Sequence, residues 1–219
     1  MLQDTLSFSI RVVSNDCPAY LSLVPRLWSD TIEAHRREVR DAIMDTTARL
    51  AAEHGVLHVT MSQVATATGI GRATLYKYFA SVEEILLAWH DQQVGQHLAL
   101  LADIAAREAS PVQRLGSVLE AYARIRSERR RHGSGTHTND LAMFLHDDEL
   151  LAPAQQQLHD LIGGLLDEAA TCGEVRSDVP PDELARFCLH ALGAANHRLS
   201  NRAIKRLVGL VIDGLQPQH

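Results

Sequence analysis

A chain of 219 residues is long enough for a small and a medium domain, or for one larger domain with a sizeable core. Its 46% hydrophobic content contains no apolar run near the ~18–20 residues of a membrane span, so no membrane partner is expected. Taken alone, a formal net charge of −6 and a pI of about 6.0 argue against a nucleic-acid binder, whose surface is usually basic.

Residues 1–30 are weakly patterned and read as a flexible N-terminal arm. No basic stretch precedes a clean apolar core there, so no signal peptide is expected. The three cysteines, Cys17, Cys172 and Cys188, lack any Cys-x-x-Cys spacing. They read as free thiols in a reducing cytoplasm, with a Cys172–Cys188 redox pair as the alternative. From Thr31 to His54 the pattern is helical, with Val39, Ile43, Thr46 or Thr47, and Leu50 at three- and four-residue steps, and Gly55 as the stop. His35, Arg36, Arg37 and Arg40 cluster at its head. Such a focal basic face can bind phosphates on an acidic body, because screening confines each charge to ~8–10 Å.

The segment Thr60–Phe79 is the most informative. Thr60 and Gln63 have the spacing of a capping box, in which side chains and end amides satisfy one another. Val64 and Ala65 give the short helix a small apolar face, and Gly69 ends it. Ile70 plugs the turn. Gly71 lets the chain restart tightly and lets its backbone approach a partner closely. A second helix is expected from Arg72 to Phe79, with Leu75 and Phe79 inward and Arg72, Ala73, Tyr76 and Lys77 outward. Ser81 and Glu84 form another capping box. This is the layout of a helix-turn-helix, in which one helix braces and the next enters the DNA major groove.

With Gly55, Thr60, Val64-Ala65, Gly69-Ile70, Thr74-Leu75-Tyr76 and Tyr78-Phe79 in place, residues 35–90 resemble the DNA-binding domain of the TetR family of bacterial repressors. The resemblance implies that Arg72, Ala73 and Tyr76 face base edges. Thr60, Thr74, Lys77 and Tyr78 would hold phosphates, aided by Arg36, Arg37, Gln63 and the Gly71 backbone. One departure stands out: Val82 replaces the lysine usual at the start of the next helix, so a phosphate contact expected of an exposed helix start is lost.

Beyond the motif, further helices are predicted from Val82 to about Arg107 and from Pro111 to about Arg131, the latter opened by a Ser110–Gln113 capping box with proline at its first position. A Gly133-Ser134-Gly135 loop precedes a short helix over about Thr138–His146. Three more run from Asp148 or Glu149 to Thr171, from Pro181 to about Leu199, and from Asn201 to Leu215 behind the Ser200 cap. No β pattern or repeat appears, so the fold class is all-α with about nine helices. The division is 31–82 for DNA binding and 83–219 for ligand binding and dimerisation.

The resemblance also implies a pocket for a small-molecule effector, with Trp89, His97, Leu101, Tyr122, Ile125, His137, Phe144, His146, His159 and Ile162 as candidate lining. It implies a homodimer closed by the last two helices through Phe187, Ala191, Leu192, Ala195, Leu207, Leu210 and Val211. Two half-sites on operator DNA fit such a dimer. The reading is therefore a ligand-responsive repressor, with no catalytic group, cofactor or metal expected. The alternatives are a metal-dependent helical hydrolase using His137, His146, Asp147 and Asp148, and an interaction module derived from a helix-turn-helix.

Overall fold

The computed structural model describes residues 23–132, 148–195 and 199–217, with side chains over 31–128, 152–195 and 199–217. Among them the regular structure is entirely helical. The eight α-helices are α1 (Leu23–His54), α2 (Met61–Thr68), α3 (Arg72–Leu75), α4 (Val82–Ala105), α5 (Pro111–His132), α6 (Asp148–Thr171), α7 (Pro181–Ala191) and α8 (Asn201–Gly214). Short 3-10 turns, Val56–His58 and Leu192–Ala194, follow α1 and α7. The helix expected over Thr138–His146 lies outside the described residues.

The chain forms two compact units, Met1–Arg40 and Asp41–His219. In the first, α1 begins at Leu23, inside the stretch expected to be an arm. Nothing between Leu27 and Thr31 breaks a helix, and Pro25 falls in the first turn, where an amide has no intrahelical acceptor to lose. Arg36 and Arg37 are exposed on this helix.

In the second unit, local chemistry sets most helix ends. Gln113 N donates to Ser110 Oγ at 3.4 Å and Ser110 N to Gln113 Oε1 at 3.3 Å, the reciprocal box that starts α5. Pro181 opens α7, and Ser200 Oγ accepts from Ala203 N at 3.3 Å to start α8. The helix expected to reach Leu199 instead ends at Ala191; Leu192–Ala194 tighten into a 3-10 turn and Ala195 is extended. The buried Leu192 and Ala195 show why: the chain bends there to place both in the core.

That core is built by α4 to α8. Leu101, Leu115, Leu119, Ile162, Leu166, Leu192, Ile204 and Leu215 are each at most 2% exposed. Helix α5 packs on α4, α6 and α8, and α6 packs on α4 and α7. Polar bonds lock the periphery: Val112 N donates to Glu174 Oε2 at 2.9 Å, Arg176 N to the Leu215 carbonyl at 2.8 Å, and Arg114 pairs with Glu168. Burial pushes the Cys188 thiol up to about 12, so it stays protonated and unreactive, while Cys172 is exposed.

Candidate nucleic-acid interface and effector region

The Thr60 cap is formed as expected. Thr60 Oγ1 accepts from Gln63 N at 3.3 Å, and Gln63 Oε1 takes both Thr60 N and Thr60 Oγ1 at 2.8 Å. The Gln63 carbonyl oxygen is therefore occupied by the cap. At the other end Gly69 has φ +72°, a left-handed value that glycine adopts without a Cβ penalty, and its amide bonds the Thr66 carbonyl. Gly71, in contrast, has φ −66°, open to any residue, and an added Cβ would meet only Thr74 Oγ1, at 3.9 Å. Among the described residues nothing requires glycine there.

The second helix is shorter than expected. Its α-helical part is Arg72–Leu75, after which Lys77 N bonds the Thr74 carbonyl and Tyr78 N the Leu75 carbonyl, at 3.0 and 2.9 Å. These three-residue steps tighten the segment into 3-10-like turns up to Phe79. Leu75 at 0% and Phe79 at 1% exposure anchor it. Arg72, Ala73, Thr74, Tyr76 and Lys77 are exposed, and Tyr78 is half-buried. From Thr60 to Ala80 the sequence has two cations and no acid, so this face is locally positive on a chain of net charge −6.

The next helix start corrects the sequence reading. Ser81 Oγ accepts from Glu84 N at 3.2 Å, but Glu84 reaches back to Ala80 N, at 2.6 Å, one residue before the cap. The Glu83 carboxyl is held below its usual range by its own backbone amide and by Ser81. Val82, expected on an exposed start, is buried, because it begins the inward stripe continued by Ile85 and Leu86.

Of the residues expected to line an effector pocket, Leu101, Tyr122, Ile125 and Ile162 come together in or against one apolar cluster. Leu101 and Ile162 are buried in that cluster, at 2% and 0% exposure. Trp89 is half-buried and bonded to Asp45, and His97 is half-buried. His159 Nε2 meets Asp182 Oδ1 at 3.1 Å and pins α6 to α7. Tyr122 and Ile125 border the core. His137, Phe144 and His146 lie outside the described residues. Two concavities occur elsewhere. One, of about 450 Å³, lies where α6 turns into α7, beside the paired Arg176 and Asp178. The other, of about 290 Å³, separates α4 from α6, with His90, Val94 and Leu98 facing Pro153, Ala154 and Gln157. The four-residue step of His90, Val94 and Leu98 was a legible signal for that wall.

Of the residues expected between two chains, Leu192, Ala195 and Val211 are buried within one chain, because the 3-10 turn after α7 and helix α8 both pack on α5. Phe187 and Leu210 are exposed by 49% and 68%, with Ala191 and Leu207 half-buried.

Two family patterns cover most of this architecture. Residues 43–89 match the family described as bacterial regulatory proteins, tetR family, and residues 116–217 match the SbtR-like C-terminal domain of transcriptional regulators. The chain belongs to the TetR family. It is a helix-turn-helix transcriptional regulator that binds DNA, in a family of regulators rather than enzymes. The fatty acid metabolism regulator protein of Bacillus subtilis is 21% identical over 61% of this chain and 69% of its own. The regulator BetI of Rhizobium meliloti is 28% identical over 39% of this chain, and the match spans only 42% of BetI. Among solved structures, a TetR/AcrR regulator from Thermobifida fusca superposes with a TM-score of 0.64 at 21% identity, covering 80% of this chain and 97% of that one. AibR, solved with isovaleryl coenzyme A and operator DNA, gives 0.52 at 20% identity, over 79% and 96%. These likenesses establish the fold. Among the described residues no helix is long and apolar enough to cross a membrane.

Proposed function

We propose that this chain is a cytoplasmic, ligand-responsive repressor that binds operator DNA as a homodimer and leaves it when a small-molecule effector binds. The observation that carries the reading is the solvent-facing edge of α3, where Arg72, Ala73, Thr74, Tyr76 and Lys77 project from a segment anchored by Leu75. Arg72, Ala73 and Tyr76 read base edges. Thr60, Thr74, Lys77 and Tyr78 set register on phosphates, and Arg36 and Arg37 add charge. Gly71 admits the DNA backbone, which accounts for a glycine that its own chain does not need. Residues 31–82 act as the DNA-binding domain and 83–219 as the effector and dimerisation domain, with Phe187 and Leu210 in the dimer seam.

The effector class we propose is an acyl thioester or related acyl compound. Its support is indirect: FadR of Bacillus subtilis, solved with stearoyl-CoA, has the same fold at a TM-score of 0.57, and AibR was solved with isovaleryl coenzyme A. An effector would favour a dimer whose recognition helices no longer match the ~34–36 Å repeat of the groove. Fluorescence anisotropy on DNA upstream of the coding sequence, against random DNA over a salt series, tests the first half. Acyl-CoA titration into the preformed complex tests the second. Equal affinity for both DNAs removes the operator reading, and a complex indifferent to every acyl chain length removes the effector class.

A further inference from the structure

We propose that at the start of α2 the Gln63 carboxamide, and not the Thr60 hydroxyl, donates to a DNA phosphate, and that Thr60 is the positioning residue that aims it. The proposal rests on the DNA-binding reading above and changes the part that Thr60 plays in it. A phosphodiester oxygen only accepts hydrogen bonds, so the group that holds it must have a hydrogen to give. The bonds of the capping box decide which side chain has one.

Thr60 carries two hydrogens that could be donated, on its backbone nitrogen and on Oγ1. Both go to Gln63 Oε1, each across 2.8 Å. Thr60 Oγ1 meanwhile accepts from Gln63 N at 3.3 Å. While the box is closed, Thr60 has no donor left for a phosphate. Gln63 is in the opposite position. A backbone N–H can only donate, so the carboxamide atom facing Thr60 N is the oxygen, and Nε2 keeps both of its hydrogens. Among the described residues Gln63 Nε2 has no hydrogen-bond partner, and the residue is exposed. At the start of α4 a carboxylate does the same reach-back work, Glu84 accepting from Ala80 N at 2.6 Å. The NH2 of Gln63 is therefore surplus to the cap.

The surroundings suit a phosphate. In a helix-turn-helix the first helix crosses the DNA backbone while the second enters the groove, and α2 packs directly on α3. Thr60, Ser62 and Gln63 are exposed at the leading end of α2, and no acidic residue occurs between Thr60 and Ala80. A carboxamide clamped by its oxygen holds its NH2 in one direction, which is what setting register on a backbone requires. Being neutral, it displaces no counterion, so its contribution differs in kind from that of Lys77.

Fluorescence anisotropy of the full-length protein on DNA upstream of the coding sequence, over a salt series, tests this with Gln63→Leu, Gln63→Glu and Thr60→Val. Gln63→Leu should weaken binding about 10-fold or more, as a hydrogen bond to a charged acceptor allows, and should leave the log-salt slope unchanged. Thr60→Val should cost only about 3-fold, because the backbone amide of residue 60 still holds Oε1. Gln63→Glu can accept both Thr60 bonds but donate none. It should keep the wild-type thermal midpoint and bind DNA at least as weakly as Gln63→Leu. A loss in Thr60→Val that equals or exceeds that in Gln63→Leu returns the phosphate to the Thr60 hydroxyl. A loss in Gln63→Leu with a lowered slope shows instead a failed cap that displaces Lys77. Either result, or wild-type affinity in Gln63→Leu or Gln63→Glu, overturns the role of Gln63 and leaves DNA binding standing. Wild type that binds no DNA overturns both.

Discussion

The Trp89 indole donates from Nε1 to Asp45 Oδ1 across 3.3 Å, and Gln92 Nε2, three residues further along α4, donates to Asp41 Oδ1 at 2.9 Å. The two bonds tie α4 to successive turns of α1. The same helix presents His90 and Val94 to the crevice facing α6. Asp45 is exposed, which limits the value of its bond to about 0.5–1.5 kcal/mol. Trp89→Phe should cost roughly that amount in a urea unfolding titration, beyond any loss from packing. The same change made on Asp45→Ala should cost less. Strictly additive losses across the four proteins would show that the two side chains are not coupled.

The exposed edge of α3 separates two kinds of contact. Lys77→Ala should weaken binding to specific and random DNA alike and lower the log-salt slope by ~1–2 in the dimer, the signature of lost phosphate contacts. Arg72→Ala should relax sequence preference by roughly 1–3 kcal/mol per half-site. Selection from a randomised operator library measures the second effect. An unchanged consensus would take Arg72 out of base readout, and an unchanged slope would take Lys77 off the backbone.

Gly69 offers a test of the turn that is free of packing effects. Its φ of +72° disfavours any Cβ, yet an atom added there would meet nothing within 4 Å. Gly69→Ala should therefore lower stability by about 1 kcal/mol, from backbone strain alone. Gly69→Asn should cost less, since asparagine tolerates the left-handed region. Thermal unfolding ranks the three proteins, and equal losses for alanine and asparagine would point to a steric cause instead.

What could be read from the sequence divides along physical lines. The Thr60 cap, the Gly69 stop and the inward Leu75 and Phe79 depend on neighbours a few residues away, so spacing alone specified them. Val82 misled because helix starts are usually wet, whereas its pairing with Ile85 and Leu86 turned it inward. Leu101 and Ile162 could be read as buried and no further, because an apolar side chain on a helix reads alike whether it meets a ligand or its own core. The early end of α7 at Ala191 was hidden for a related reason. An Ala-Leu-Gly-Ala-Ala run permits helix, and tertiary packing of Leu192 and Ala195 decided against it.

The same ambiguity sharpens the test of the dimer. Leu192 is 0% exposed in a single chain, so Leu192→Glu buries a carboxylate in the core and should unfold the C-terminal helices, at a cost of several kcal/mol. Leu210, 68% exposed, and Phe187, 49% exposed, present an apolar surface that the single chain leaves uncovered. The Phe187 ring lies beside Gly214, where a Cβ would stand 3.8 Å from it, so the exposed faces of α7 and α8 are continuous. Leu210→Glu and Phe187→Glu should therefore keep the helical content and thermal midpoint of one chain while sedimenting as monomers, and should lose operator affinity because two half-sites are no longer linked. Gly214→Ala, an ordinary contact, should change neither. Leu210→Glu and Phe187→Glu proteins that both sediment as dimers would place the seam away from these helices, even if Leu192→Glu unfolds as expected.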